Sequence, residues 1–327
     1  MNNILVIQTA SIGDVILATA IPESLHRAFP AASIDFLLKK GNGQLLAGHP
    51  FLRKVLEWDK QQGKYSSLAS LAGEIRSARY DLVVNLQRFL SSGLITVLSG
   101  AAETRGFSKN PLSFAFSRKI AHDIGLGLHE TERNFALISD LPGVRPARPK
   151  LYPSPDDEAA VEPFAGGTFY TISPASLWPT KQFPAERWAE LIDHAAPDSQ
   201  VYLLGSPGDT ALCETIARKS SHPGLTILAG RMTLLRSAAL MMRARMNFAN
   251  DSAPIHLASS VNAPVTAVFC STVPAFGFGP LSDDSLVVQT SEPLPCRPCG
   301  LHGLRQCPEG HFRCAYGVDA GHLRARL

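Results

Sequence analysis

A repeated succession constrains this chain more than any other feature: a short apolar strand, a small polar loop, then a helical stripe. Residues 3–8 (Asn-Ile-Leu-Val-Ile-Gln) form the kind of apolar run that is buried on both faces of a parallel sheet. Residues 9–13 make a small polar loop, and apolar side chains at 15, 16, 17, 21 and 25 predict a helix over 14–28. Further strands are predicted at 33–38, 54–58 and 81–85, with a helix over 65–78. The second half repeats the order, with strands at 169–173, 200–204, 225–228, 245–249 and 264–269. Helices are predicted there over 184–196, 209–219, 234–244 and 257–261. Such alternation predicts an α/β fold of parallel sheets with helices on both faces. Ligands then gather at the carboxyl ends of the strands.

A chain of 327 residues is long for one core and suits two domains. Pro142, Pro146, Pro149, Pro153 and Pro155 rule out continuous helix or central strand over 141–155, so a linker is expected there. It separates a domain over 1–150 from one over 151–327. The formal charge of +3 is unevenly divided: residues 1–150 hold 18 Lys and Arg against 12 Asp and Glu, a net of +6. A basic half suits an acidic acceptor or an anionic membrane surface, although no dense Lys/Arg cluster appears. No apolar run approaches the ~20 residues of a membrane span. No basic segment precedes the first apolar run, which therefore reads as strand and helix rather than a secretion signal. A cytoplasmic protein is expected, and nothing points to nucleic acid.

Residues 250–257 (Asn-Asp-Ser-Ala-Pro-Ile-His-Leu) follow a strand and open a helix with proline near its first turn. Free backbone N–H groups and the helix dipole make such a junction an anion site, with Asp251 and Ser252 available as caps. A loop over 174–182 (Pro-Ala-Ser-Leu-Trp-Pro-Thr-Lys-Gln) and shorter ones at 205–208 and 229–232 also follow strands. If the sheet is parallel, all four meet at one edge. Asp14, at the end of the first strand, reads from the residues alone as a helix cap or as a reactive carboxylate. No Gly-x-Gly-x-x-Gly follows that strand, and no Gly-x-x-x-x-Gly-Lys-(Ser/Thr) occurs anywhere.

These segments, in this order, resemble glycosyltransferase family nine, the bacterial heptosyltransferases. The loop Ser11-Ile12-Gly13-Asp14 is similar to the family's Ser-x-Gly-Asp, and the resemblance implies that Asp14 is the general base on an acceptor hydroxyl. Thr180-Lys181-Gln182-Phe183-Pro184 resembles the family's (Thr/Arg)-Lys-x-(Trp/Phe)-Pro, implying that Lys181 pairs the donor phosphates with help from Ser176. Asp209 falls where an acid bonds the ribose, and Met232 where adenine is packed. Asp251, Ser252, Ala253 and His256 match the segment that holds the diphosphate and sugar of ADP-heptose, with Ala253 standing where the family usually has Gly. The implied fold is of the GT-B type, two doubly wound Rossmann-like domains facing across a cleft. The first would bind acceptor and the second donor. The implied reaction is metal-independent, inverting transfer of heptose from ADP-heptose to the inner core of lipopolysaccharide, with peripheral contact at the inner membrane. A nucleotide-sugar epimerase on the same fold, or a non-catalytic sugar-nucleotide binding protein, is compatible with the same motifs.

Residues 86–135 give no clear periodicity. Gln87, Arg88, Arg105, Lys109, Arg118 and Lys119 lie among short apolar pieces there and are candidates to meet acceptor carboxylates or phosphates. Cys213 and Cys270 sit in apolar surroundings as core residues. Cys296-x2-Cys299-x7-Cys307-x6-Cys314 raises a structural zinc. Its later intervals, however, depart from a second Cys-x2-Cys knuckle, and no metal is expected in the reaction itself.

Overall fold

The computed structural model describes residues 1–59 and 64–327. They divide into two compact units, Met1–Tyr152 and Pro153–Leu327. The first runs β1 (Asn3–Ile7), α1 (Ile12–Ala18), α2 (Ala20–Ala28), β2 (Ser33–Lys39), β3 (Leu52–Trp58), α3 (Lys64–Ser77), β4 (Leu82–Asn85), α4 (Leu90–Leu98), β5 (Glu103–Phe107), β6 (Arg118–Ile120) and α5 (Glu130–Phe135). The second runs α6 (Pro155–Val161), β7 (Phe169–Ser173), α7 (Ala185–Ile192), β8 (Gln200–Leu203), α8 (Thr210–Lys219), β9 (Leu225–Ile227), α9 (Leu234–Arg243), β10 (Met246–Asn250), α10 (Ala253–Ser260), β11 (Val265–Phe269), β12 (Ser285–Gln289), α11 (Arg313–Tyr316) and α12 (Ala320–Arg324).

Each unit holds one six-stranded sheet, in the orders β3-β2-β1-β4-β5-β6 and β12-β11-β10-β7-β8-β9. Every pairing is parallel. Numbered within its own unit, the second sheet repeats the succession of the first, read from the other edge. This is the doubly wound order, and it reverses direction between β1 and β4 in one unit and between β7 and β10 in the other. The loops leaving those strand pairs flank the crevice where such sheets take ligands.

Burial explains why these segments are strands. β7, β10 and β11 are buried along their whole length, whereas the edge strand β3 alternates exposed charges with buried Leu56 and Trp58. In the second unit the core gathers Phe183, Trp188, Leu203, Ile216 and Phe248, and it draws in Ala315, Val318 and Leu323 from the last thirty residues. The C-terminal segment is therefore part of the packing rather than an appendage.

Three local expectations change. The helix expected over 14–28 begins at Ile12 and is split at Thr19, whose hydroxyl donates to Ile16 O at 2.6 Å and accepts from Lys150 N at 2.8 Å. Pro22 has no N–H for the Ala18 carbonyl and so interrupts the ladder there, and the Thr19 hydroxyl competes for the neighbouring Ile16 carbonyl. Pro155 opens α6 behind a Ser154 cap instead of lying in the linker. The unplaced stretch 86–135 contains α4, β5, β6 and α5. β6 has 3 residues and α5 has 6, too few to print a period on the sequence.

Candidate active site

In the first unit, Asp14 lies on the turn that leaves β1, at the reversal point of the sheet. It is not the cap itself: Ser11 is the N-cap of α1, and Asp14 is the third helical residue of a capping box. Asp14 Oδ2 accepts from Ser11 Oγ at 2.6 Å and from Ser11 N at 3.2 Å, while Oδ1 takes no part in the box. Burial is the largest influence on this carboxyl and pushes its pKa above the ordinary aspartate value. Glu130 pushes the same way, and the Ser11 hydroxyl and Arg88 pull against it. A half-buried carboxylate raised by its surroundings is a better proton acceptor than a free one.

Few of the polar residues proposed for the acceptor remain available. Gln87 is buried, its side-chain amide donating to Gln8 Oε1 and its backbone N–H donating to Asn85 Oδ1. Arg105 is 3% exposed and holds Glu103, Asp140 and the Leu137 carbonyl, and Arg118 shares Asp140. These two arginines tie β5 and β6 to the turn after α5, an internal task. Lys109 donates to the His122 carbonyl at 2.5 Å and faces Asp123. Arg88, half-buried near Asp14, and the exposed Lys119 are left.

In the second unit, the carboxyl ends of four adjacent strands bring most of the predicted residues to one edge. Asn250, fully buried at the end of β10, accepts from Phe183 N at 2.9 Å and donates to Pro174 O at 2.5 Å. One amide thus pins both ends of the loop that leaves β7. Within that loop Lys181 Nζ meets Asp251 Oδ2 at 2.6 Å, with side chains 15% and 8% exposed. An ammonium has three donors, so this pairing leaves two for a ligand.

Here the helix-cap expectation fails. Asp251 is engaged by Lys181 and by the Thr272 hydroxyl at 2.5 Å, partners stronger than a cap N–H. Ser252 occupies the N-cap position of α10, but its hydroxyl donates to Ala175 O at 3.2 Å and Asn250 O at 3.3 Å. No side chain caps α10, and its first residue, Ala253, presents backbone N–H at the positive end of the helix dipole. His256 is buried one turn further along, and half-buried Ser176 shares the Lys181 loop.

Asp209 and Met232 lie on the next two loops of the same edge. Asp209 is again the third residue of a Ser-x-x-Asp box, its Oδ2 accepting from Ser206 N at 2.8 Å and Ser206 Oγ at 2.7 Å. Gly205 is required under it, since a Cβ there would stand 2.9 Å from the Asp209 Cβ. Gly230, at φ +75°, donates to Gly205 O at 2.9 Å and so joins the β8 and β9 loops beside half-buried Met232.

Sequence reasoning missed Thr272, Arg297 and Leu304, which brace the Lys181 site from the C-terminal side, and gave no role to Thr180, the residue of the loop that Leu304 holds. It also missed Glu130. The Ser-x-x-Asp spacing of Ser11–Asp14, Ser154–Asp157 and Ser206–Asp209 was a readable signal for the three capping boxes. The six cysteines are free. Cys213 is pushed up to about 12 and Cys314 up to about 11 by burial, which keeps both as thiols. Cys296 Sγ stands 4.0 Å from His311 Nε2, and among the described residues no three His, Cys, Asp or Glu side chains come together as a metal set.

With the two sheets and these loops in place, comparison with known proteins becomes informative. The model of glycosyltransferase family 9 (heptosyltransferase) matches residues 68–304. The chain belongs to this family. Among similar proteins, lipopolysaccharide heptosyltransferase 1 of Pseudomonas aeruginosa is 25% identical over 318 residues, covering 90% of this chain and 85% of that one. A family 9 glycosyltransferase from Veillonella parvula superposes with a TM-score of 0.86 at 20% identity, over 99% of this chain and 96% of its own. The Escherichia coli heptosyltransferase WaaC, solved with ADP, superposes with a TM-score of 0.72 at 20% identity, over 87% and 92%. This family 9 member is thus a glycosyltransferase built from two doubly wound units of the GT-B type. Its Lys181 loop and 250–256 segment lie within the matched region, whereas Asp14 lies before it.

Proposed function

We propose that this glycosyltransferase moves heptose from ADP-heptose to a sugar of the lipopolysaccharide inner core, with inversion at the anomeric carbon and without a metal. The observation that carries the reading is the Lys181–Asp251 pair beside the uncapped start of α10, at the reversal point of the second sheet. A leaving diphosphate develops negative charge, and a fixed ammonium with oriented backbone N–H groups stabilises it with no reorganisation during the reaction. Ser176, Ser252, Ala253 and His256 complete the diphosphate and sugar contacts, while Asp209 Oδ1 and Met232 take ribose and adenine. A solved relative that carries ADP supports an ADP-linked donor.

In the first unit Asp14 Oδ1 accepts the proton of the acceptor hydroxyl. The acceptor oxygen bonds to the anomeric carbon as the bond to the β-phosphate oxygen breaks, and the electron pair leaves with ADP. Acceptor anions are met by Arg88 and Lys119. Three successive carboxyl-end loops of this unit also expose large apolar side chains: Phe89 and Leu90 (63% and 52%), Phe114 (76%), and Leu126 and Leu128 (71% and 47%). Set beside Lys119 on a half of net charge +6, they suit the cytoplasmic surface of an anionic membrane, where a lipid-anchored acceptor is held. Among the described residues no helix is long and apolar enough to cross one.

The test is incubation with ADP-heptose and truncated core acceptors, with and without chelator, and weighing of the products. One added heptose per acceptor, equal in both conditions, is expected. Free nucleotide released from donor alone would indicate an epimerase, and donor binding without turnover a binding protein. Either outcome sinks the proposal.

A further inference from the structure

The Lys181–Asp251 pair does not stand by itself; a segment from the C-terminal end of the chain holds it from behind. Arg297 donates to Cys270 O at 2.7 Å, to Thr272 O at 2.7 Å, to Phe269 O at 3.3 Å and to Gln289 Oε1 at 2.7 Å. One guanidinium therefore gathers three carbonyls where the chain turns away from β11, two of them, on Cys270 and Thr272, beyond the last residue of the strand. The turn so fixed carries Thr272, 1% exposed, whose hydroxyl donates to Asp251 Oδ2 at 2.5 Å, the same oxygen that holds Lys181 Nζ.

A second strut reaches the lysine from its own loop. Leu304 N donates to Thr180 Oγ1 at 2.7 Å, and Thr180 N donates back to Leu304 O at 3.2 Å, one residue before Lys181. Gly303, at φ +83°, lies so close that a Cβ would stand 3.0 Å from Lys181 Cγ and from Thr180 Oγ1. Ser271 joins the struts, donating to Thr180 Oγ1 at 3.1 Å and accepting from Cys299 N at 2.9 Å. The segment is itself anchored, through Ala315, Val318 and Leu323 in the core and the Tyr316 hydroxyl on Glu186 at 2.7 Å.

We infer that Arg297 is a positioning residue for the donor phosphates, acting through Thr272 and Asp251 on Lys181. The inference rests on the donor-site reading above and adds to it the device that sets the lysine. A lysine side chain is long and rotamer-rich, so a free one loses much of its freedom when phosphate arrives. Arg297 moves that ordering into the folding of the unit, leaving less for the ligand to supply. The C-terminal segment is in this sense part of the donor site.

The test is a mutant cycle read by ADP binding calorimetry on the full chain, with melting temperature alongside. Arg297→Ala is expected to weaken ADP about tenfold and Thr272→Val a few-fold, in the range seen for residues that act through others. Arg297→Lys should recover only part of the loss, since one ammonium cannot span three carbonyls. In a Lys181→Ala background, Arg297→Ala should weaken ADP less than about twofold further, because its route to phosphate is already gone. A purely structural arginine would lower the melting temperature and weaken ADP by the same factor in both backgrounds. That additive result, or parent-like binding by Arg297→Ala and Thr272→Val, overturns the inference and leaves the donor site in place. A parent protein that binds no ADP overturns both. Should Arg297→Ala fail to fold, Thr272→Val with and without Lys181→Ala closes the same cycle by removing one hydroxyl and keeping the shape.

Discussion

Replacing Lys181 with alanine should do two separable things. The pair it belongs to is largely out of water, with Lys181 15% and Asp251 8% exposed at 2.6 Å. Deleting one partner of such a pair leaves a buried charge uncompensated, typically at about 3–5 kcal/mol. Thr272 still donates to Asp251, so the lower end applies, about 3 kcal/mol. In a unit of this size 1 kcal/mol moves the melting temperature by about 2–4 °C, which gives a fall of roughly 6–12 °C. ADP affinity should drop as well, by about 1.5–3 kcal/mol for a lost charge-assisted contact, or one to two decades. Adding Asp251→Asn to Lys181→Ala removes the orphaned charge, so the double variant should regain most of the melting temperature and none of the affinity. Calorimetric binding and thermal melting on three proteins separate the effects. A Lys181→Ala protein that melts like the parent refutes the desolvated pair, and one that binds ADP like the parent removes Lys181 from the donor site.

Three further outcomes are expected. Asp14→Asn should lower turnover by ~10²–10⁴, the worth of a general base, with ADP affinity unchanged; near-parent turnover would take Asp14 out of the reaction. The same variant carries a pH signature. Burial raises the folded-state pKa of Asp14, so its contribution to stability is full below the unfolded pKa and is lost as pH rises through the folded one. The Asn protein should therefore melt with the parent in acid and above it at neutral pH, and a lower neutral melting temperature would contradict the sign. Phe89→Ser with Phe114→Ser should leave turnover on a soluble acceptor intact and reduce sedimentation with anionic vesicles, and undiminished sedimentation would clear these side chains of membrane contact.

What the sequence revealed depended on how local the cause was. β1, β7 and β10 announce themselves because strands buried on both faces need nothing but apolar residues. The phosphate loop was visible for a similar reason: Lys181 and the residues of 250–256 are of the types an anion demands. Their pairing was not visible, because it is set by β10 lying beside β7, strands far apart in the chain. Asp251 shows the difference. Read locally, an acid before a helix is a cap. In the folded unit a lysine 70 positions earlier competes for its carboxylate and wins, since a buried ion pair outweighs a cap N–H. Arg297 was hidden for the same reason, three of its four partners being backbone carbonyls that carry no sequence signal. Arg105 failed in the opposite direction. It looked like a basic loop residue and lies buried in an ion network fixed by Asp140, 35 positions away.

The two units share one strand order yet present opposite chemistry at the same topological point, and loop length accounts for it. In the first unit only residues 8–11 separate β1 from α1. So short a turn sets the first helical turn directly on the strand end, where a Ser-x-x-Asp box fixes the acid and partial burial raises its pKa. In the second unit residues 174–184 separate β7 from α7. That loop is long enough to carry Lys181 over to the neighbouring strand, but length alone would leave the lysine adrift. Asn250 pins both ends of the loop, Thr180 ties its middle to Leu304, and Asp251 takes the ammonium. A base needs a carboxylate whose surroundings disfavour its charge; a phosphate cradle needs a cation whose position is settled before the ligand comes. The same sheet supplies both, once by leaving no room between strand and helix and once by leaving room and then bracing it.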